Sequence, residues 1–276
     1  MRARAHAKLN LALVVGPLRP DGKHEVATVL QALDLHDDVE LEPASRLVVE
    51  GYADDTLVRR ALEALAQAAG VAPGWRATIE KRIPVASGLG GGSSDAAAAL
   101  QLANALLPSP LPAAKLHAVA AAIGADVPFF LRGGPQLGTG DGTELAPLLL
   151  PQDYEVVLCL PEGPTKASTR AVYKQYDARR GAVGFDERRT ALLDALGRVR
   201  HAGDLVSLPR NDLAASEVAD DLVHRGAFRA DVTGAGPVVY GLFERQADAR
   251  RAKAALRDLG RTWLTRPVAA PERATA

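Results

Sequence analysis

The sequence predicts an α+β fold in two lobes, and three observations carry this prediction. Strand-like alternation and helix-like periodicity both occur in each half of the chain, without the regular strand–helix repeat of a parallel α/β fold. A proline-containing segment at 147–153 separates the two halves. The length of 276 residues suits one large domain or two ordinary ones. We therefore predict a first lobe over 1–150 and a second over 151–276.

Composition and charge limit the classes of partner. Hydrophobic residues make up 47% of the chain and charged residues 24%, which is typical of a globular protein in water. The 33 basic residues balance the 33 acidic ones. A neutral chain does not attract polyanions in general, so no nucleic-acid partner is predicted. A phosphate-binding site would have to be local.

Cysteine content and hydropathy bear on the compartment. The single cysteine, Cys159, lies in the apolar run EVVLCL, so the chain can form neither an internal disulfide nor a Cys/His metal cluster. We predict that Cys159 packs in a core. The chain has no run of 18 apolar residues that would span a membrane. These features predict a cytoplasmic protein with no membrane segment.

The first part of the chain reads as strands with one helix. Apolar residues alternate over 9–15, a loop rich in Pro and Gly follows at 16–24, and a second apolar stretch begins at His24. Lys8 stands at the entrance of the first strand, where a lysine is most often solvated. Further strands are predicted at 39–41, 47–49 and 75–80, with a helix after the N-cap candidates Asp54 and Asp55 that stops at Gly70.

The chain is organised around the stretch PVASGLGGGSSDAAAAL at 84–100. Four glycines fall within five positions, and a helix is predicted to begin near Ser94. Glycines let a ligand approach bare backbone, and a helix N-terminus offers free N–H groups to an anion. No lysine follows Gly92 as a P-loop requires, and the dinucleotide pattern G-x-G-x-x-G is absent. We interpret the stretch as a phosphate cradle; the alternative, a flexible linker, is disfavoured by the flanking strand and helix.

The remaining elements alternate between helices and strands. A helix is predicted over 113–123 and stops at Gly124. Asp126 follows it and has three possible roles: it caps a turn, it pairs with Arg132, or it is a functional carboxylate held on a rigid corner. The glycines at 133–134 and 138–142 predict turns. The other predicted elements are strands at 155–160, 238–243 and 262–265, helices ending at Tyr176 and spanning 186–199 and 246–259, a helix from Asn211, and a frayed tail at 268–276.

Three motifs together resemble the GHMP kinases: AKLN at 7–10, PVASGLGGGSSDAA at 84–97 and VTGAGPVVY at 232–240. RPDGKH at 19–24 and GADVPFF at 124–130 are similar to motifs of one branch, the kinases that phosphorylate 4-diphosphocytidyl-2-C-methyl-D-erythritol in the non-mevalonate isoprenoid pathway. The resemblance spans residues 5–243. It implies a first lobe like domain 2 of ribosomal protein S5 and a ferredoxin-like second lobe.

The resemblance also implies a reaction and its residues. ATP would phosphorylate the 2-hydroxyl group of the methylerythritol unit, with Asp126 as base and Lys8 as its partner. The chemistry of phosphoryl transfer itself predicts Mg²⁺ on the phosphate oxygens, with Ser93 or Ser94 and water beside it. The stretch that would hold the ATP phosphates comprises Pro84, Val85, Ala86, Ser87, Gly88, Leu89, Gly90, Gly91, Gly92, Ser93 and Ser94. The residues that would bind the small cytidyl diphosphate substrate are Asn10 at its hydroxyl groups, His24 and Tyr173 at the cytosine, with Lys23 and Thr169 nearby. No protein ligand to the metal is identified, and a monomer or a homodimer is expected.

Two positions depart from the family, and rival functions remain open. Lys23 replaces an aromatic residue, which would remove a stacking partner of the cytosine, and Asp55 replaces an asparagine beside the adenine. The first alternative is another GHMP kinase, for homoserine or a mevalonate-pathway substrate. The second alternative is a nucleotide-binding regulator without turnover. The third is an RNA-binding module, but the neutral charge and the few aromatic residues disfavour RNA binding.

Overall fold

The computed structural model describes residues 1–51, 56–163 and 168–269. The chain forms two compact units, and each is discontinuous in sequence. The first comprises Met1–Lys8, Leu35–Val85 and Gly90–Gly133, and the second comprises Leu9–Asp34, Ala86–Leu89 and Gly134–Ala276. Two long strands that pair with each other, β1 (Arg2–Leu18) and β2 (His24–Pro43), contribute residues to both units. The lobe boundary at residue 150 stays a prediction.

The first unit contains four helices and two strands besides its parts of β1 and β2. Its further elements are β3 (Val48–Glu50), α1 (Thr56–Ala69), β4 (Trp75–Glu80), α2 (Gly91–Leu106), α3 (Ala113–Ile123) and the short helix α4 (Val127–Phe130). Strand β4 runs antiparallel to β2 and parallel to β3. Trp75, Ala77 and Ile79 of β4 are buried with the alanines 96–99 of α2, whose small side chains let that helix approach closely.

The second unit contains a hairpin and a four-stranded antiparallel sheet. Its elements are β5 (Gln136–Thr139), β6 (Glu144–Pro147), β7 (Glu155–Pro161), α5 (Thr169–Ala178), α6 (Phe185–Leu196), a 3₁₀ helix (Ala202–Ser207), α7 (Glu217–His224), β8 (Arg229–Val232), β9 (Val239–Phe243), α8 (Gln246–Ala255) and β10 (Gly260–Thr265). The sheet order is β10-β7-β9-β8, which is the strand order expected of the ferredoxin-like lobe. Cys159 of β7 is buried as predicted, and burial raises the pKa of its thiol to about 11.

Several predicted elements are corrected by the structure. The glycines at 138–142 do not form only turns, because Gly138 lies within the β5–β6 hairpin. No helix begins at Asn211; its side chain accepts the amide of Leu213 and donates to the Val232 carbonyl, and α7 starts only after the N-cap Ser216. Helix α2 begins at Gly91, three residues before the predicted start.

No helix among the described residues is both long and apolar enough to cross a lipid bilayer. The N-cap candidates Asp54 and Asp55 and the end of the chain from residue 270 lie outside the described residues. Val268, the first residue of the tail predicted to be frayed, is ordered against β2 in the second unit, because its amide donates to the Ala32 carbonyl. The preceding residue, Pro267, forms a β-bridge with Leu33.

Candidate active site

The first unit holds the start of α2, where Gly90 makes a tight turn into the helix. Gly90 has φ of +74°, and the first intrahelical bond, from the Ser94 amide to the Gly90 carbonyl, is 2.9 Å long. The amides of Gly91, Gly92 and Ser93 therefore precede the first hydrogen-bonded turn, as at any helix N-terminus. A β-carbon on Gly90 would lie 2.9 Å from the Phe130 ring and 3.0 Å from Cγ of Lys8. Both the backbone conformation and the space require glycine here.

Beside this turn lie the two residues predicted to perform the chemistry. The Lys8 side chain on β1 is only 4% exposed, so the interpretation of a solvated strand end is wrong. Its Nζ lies 3.6 Å from Oδ2 of Asp126, whose side chain is 42% exposed. Asp126 stands at the N-cap of α4, but within the described part of the chain its carboxylate accepts no hydrogen bond from that helix. The structure thus brings an accessible carboxylate and a buried ammonium together.

In the second unit, residues 86–89 of the glycine stretch pack against the turn that follows β8. A β-carbon on Gly88, which has φ of +87°, would lie 2.4 Å from the carbonyl oxygen of Thr233. The Ser87 carbonyl accepts the amide of Val238 at 3.1 Å. Ser87 and Leu89 are buried, whereas Val85 is 55% exposed. Within the second unit, residues 86–89 are therefore neighbours in space of the VTGAGP segment at 232–237.

Asn10 is buried in a network of hydroxyl groups. Its side-chain amide donates to Oγ1 of Thr28 at 2.8 Å, and that hydroxyl donates to the Ala12 carbonyl. Its backbone amide donates to Oγ1 of Thr233 at 3.1 Å. Neither threonine was predicted as part of the site. Thr233 could have been found because it lies in a quoted motif, but Thr28 lies inside a strand and carries no local signal.

The residues expected at the cytosine form a cluster against α5. The His24 and Tyr173 rings have centroids 4.8 Å apart with a 30° angle between their planes. Nε2 of His24 lies 2.8 Å from Oδ1 of Asp177, one helical turn after Tyr173. Thr169 is the exposed first residue of the same helix, one turn before Tyr173. Residues 164–167, which precede this helix, lie outside the described residues. Asp177 was not foreseen.

Lys23, the position that departs from the family, forms an ion pair with Asp141 on the β5–β6 turn. Burial alone would raise the pKa of the Asp141 carboxyl, but hydrogen bonds from Lys23 and Thr143 outweigh it and lower the pKa to about 2. Asp141 is therefore ionised at neutral pH and holds the Lys23 ammonium. The Lys23 ammonium is therefore engaged by Asp141, which does not fit a direct contact with a substrate diphosphate.

Comparisons with known proteins agree with the motifs. The model of the GHMP kinases N-terminal domain matches residues 56–134, and that of the GHMP kinases C-terminal domain matches 201–262. A 4-diphosphocytidyl-2-C-methyl-D-erythritol kinase of Nocardia farcinica is 42% identical over 273 residues, covering 91% of this chain and 87% of the relative. The namesake from Salinispora arenicola is 39% identical, covering 91% of this chain and 85% of the relative.

Solved structures agree as well. A crystal structure of a 4-(cytidine 5'-diphospho)-2C-methyl-D-erythritol kinase superposes with a TM-score of 0.78 at 34% identity, covering 97% of this chain and 99% of that one. A mevalonate kinase structure, 13% identical with a TM-score of 0.74 and covering 98% of this chain and 99% of its own, shares the fold. The two-lobed GHMP kinase fold is thereby confirmed. The chain is a kinase and belongs to the 4-diphosphocytidyl-2-C-methyl-D-erythritol kinase family of the GHMP kinases.

Proposed function

We propose that this kinase transfers the γ-phosphoryl group of ATP to the 2-hydroxyl group of 4-diphosphocytidyl-2-C-methyl-D-erythritol, in the non-mevalonate isoprenoid pathway. The observation that carries the proposal is the pair of Lys8 and Asp126 beside the Gly90 turn, in a chain 42% identical to a relative of that name. In phosphoryl transfer a protein mainly positions the reactants and neutralises charge. Asp126 can position the attacking hydroxyl group, and Lys8 can neutralise negative charge.

Residues 84–94 are proposed to hold the ATP phosphates. The amides of Gly91, Gly92 and Ser93 at the start of a 16-residue helix suit phosphate oxygens. The side chains of Ser87, Leu89 and Ser94 are buried. The fit therefore rests on backbone groups that glycine leaves open.

Asp126 is proposed to accept the proton of the attacking hydroxyl group. As the new O–P bond forms and the bond between the γ-phosphorus and the β–γ bridging oxygen breaks, the hydroxyl proton moves to a carboxylate oxygen and ADP leaves. The Lys8 ammonium, held 3.6 Å from Oδ2, orients that carboxylate and places a positive charge beside the phosphoryl group in transit. The exposure of the Asp126 side chain lets a substrate reach it.

Mg²⁺ is proposed as the companion of ATP. When bound, the ion would neutralise charge on the phosphate oxygens. Ser93 is the residue of this chain best suited to contribute an oxygen, because it is partly exposed whereas Ser94 is only 2% exposed. The fit depends on phosphate oxygens and water for the remaining ligands, as is usual for this cation.

The substrate end is proposed to use the second unit. Tyr173 would stack on the cytosine, with His24 beside it and Thr169 one turn away on the same helix. Asn10, oriented by Thr28 and Thr233, would meet the hydroxyl groups of the substrate. Because Asp141 holds the ammonium of Lys23, we propose that Lys23 contributes its aliphatic stem rather than its charge.

The compartment, the class of partner and the oligomeric state of the enzyme are also proposed. The single buried cysteine supports a reducing cytoplasm as the compartment. The balanced charge supports a small molecule rather than a nucleic acid as the partner. The enzyme is proposed to act as a monomer or a homodimer.

The alternative is another GHMP kinase, because structures of mevalonate and homoserine kinases share the fold. The test measures ADP formation from ATP with the cytidyl substrate, homoserine and mevalonate in parallel. We expect turnover with the cytidyl substrate alone, and a product that carries phosphate on the 2-hydroxyl group by ³¹P NMR. Faster turnover with homoserine or mevalonate would replace the substrate assignment, and no turnover with any of the three would favour a regulator.

A further inference from the structure

A buried ionic triad lies in the first unit at the entrance of the glycine stretch. Lys81 follows β4 directly, and its Nζ lies 2.6 Å from Oδ2 of Asp37 and 2.6 Å from Oδ2 of Asp95. The two aspartate side chains are fully buried, and that of Lys81 is 15% exposed. Asp37 belongs to β2 and Asp95 to α2. The Lys81 ammonium is therefore hydrogen-bonded both to strand β2 and to helix α2, the helix that begins with the glycines.

The Asp37 carboxylate also holds the backbone that leads into the glycine stretch. Its second oxygen, Oδ1, accepts the amides of Arg82 at 2.5 Å and Ile83 at 2.7 Å. The Lys81 ammonium is close to the start of α2, because a β-carbon on Gly91 would lie 3.3 Å from Nζ. The triad therefore contacts the chain on both sides of the glycine residues. Residues 81–83 precede them, and Asp95 lies in the second turn of the helix that follows them.

We propose that Lys81 is a positioning residue for nucleotide binding, which sets the start of α2 relative to residues 81–83 through Asp37 and Asp95. The proposal rests on the proposed role of residues 84–94 in holding the ATP phosphates. Lys81 is not proposed to touch the reacting atoms. It acts by fixing the direction in which the amides of Gly91, Gly92 and Ser93 point.

The energetics favour a positioning role over simple stabilisation. A buried ion pair contributes little net stability compared with apolar residues of similar volume, because desolvation offsets the attraction, whereas its geometry is specific. Burial alone would lower the pKa of the Lys81 ammonium, but the charges and hydrogen bonds of Asp95 and Asp37 outweigh it and raise the pKa. Lys81 therefore stays charged at neutral pH and keeps both hydrogen bonds.

The test uses two variants and a matched control. Asp95→Asn keeps the shape and removes one charge, and Lys81→Met removes the ammonium that joins the two carboxylates. Ile79→Val, a small loss of volume at a buried position of the same core, serves as the control. Three quantities are measured for each protein: the Kd for ATP by calorimetry, the KM for the cytidyl substrate, and the amide hydrogen exchange of residues 82–95 without nucleotide.

We expect the Kd for ATP to rise about 10-fold in Asp95→Asn and up to about 100-fold in Lys81→Met, the scale of loss that misplaced groups cause. Exchange over 82–95 should quicken, with the KM for the cytidyl substrate unchanged. If Lys81→Met does not fold, Asp95→Asn carries the test. A Kd and an exchange pattern no different from those of Ile79→Val would overturn the proposal. If the unmodified enzyme bound no ATP, the proposed function would be wrong. In that case the amide hydrogen exchange of residues 82–95, compared between the variants and Ile79→Val, would still show whether Lys81 positions the start of α2.

Discussion

Asp126 combines two properties at the scale of a single residue that a proton acceptor needs. Its carboxylate is open to a substrate, and its partner Lys8 is buried and so held in one place. The two residues are 118 positions apart in the sequence. Their proximity in the fold could be predicted only from the resemblance to the family. The burial of Lys8 has no signal in the sequence, because a lysine at a strand entrance is usually solvated.

The substitution Asp126→Asn tests that role. The amide keeps the size of the side chain but cannot accept the hydroxyl proton, so kcat should fall by about 10²–10⁴-fold. The Kd for ATP, measured by calorimetry, should stay within a factor of about two, because the phosphates are proposed to bind backbone amides. Near-normal turnover would show that another group takes the proton. Glu63→Ala, at an exposed charged position of α1 outside the proposed site, is the control and should leave kcat unchanged.

Element boundaries were predictable where a local pattern decides them. Strand β4 was predicted over 75–80, where the structure has it, because every second side chain is buried. The β5–β6 hairpin was missed because Gly138, Gly140 and Gly142 suggest turns, yet pairing with β2 extends the backbone around Gly138. The absence of a helix at Asn211 follows from tertiary hydrogen bonds to Val232 and Gly234, which no local pattern contains.

The N-terminus of α2 allows a prediction at the scale of the element. Gly90→Ala places a β-carbon within 3.0 Å of both Phe130 and Lys8, in a backbone with positive φ. We expect unfolding to become easier by about 1–2 kcal/mol from the backbone alone. ATP affinity and kcat should both fall, because the start of the helix and Lys8 must shift. The fold should survive, which circular dichroism can verify.

The matched control for that variant is Gly70→Ala. Gly70 also has positive φ, at +69°, but a β-carbon there would meet nothing within 4 Å. It should lose a similar free energy of unfolding while keeping kcat and the Kd for ATP. Equal losses of activity in the two variants would mean that backbone strain, and not the contact with Lys8 and Phe130, causes the effect. Urea unfolding and steady-state kinetics on both proteins decide between the two explanations.

At the scale of the whole molecule, the sequence predicted the fold class and the family but not the contacts that support the site. The glycine stretch and the motifs at 19–24 and 124–130 are local, so they could be read directly. Thr28, Asp177 and the triad around Lys81 act through contacts between residues far apart in the chain. Such contacts depend on the folded backbone, so a single sequence without relatives carries no trace of them.

Bound nucleotide should also stabilise the folded protein. A ligand that binds only the native state, at 100 times its Kd, stabilises that state by about 2.7 kcal/mol. The chain has two tryptophans, and Trp75 is buried in the same core as α2, so Trp263→Phe leaves one fluorescent reporter in the first unit. We expect ATP with Mg²⁺ to raise the thermal midpoint of the Trp75 signal, and chelation of Mg²⁺ at the same ATP concentration to remove much of the rise. The Gly90→Ala protein should show little shift under either condition. A midpoint that ATP raises equally with and without Mg²⁺ would argue against a role for the ion in binding, and a full shift in Gly90→Ala would move the phosphate site away from the start of α2.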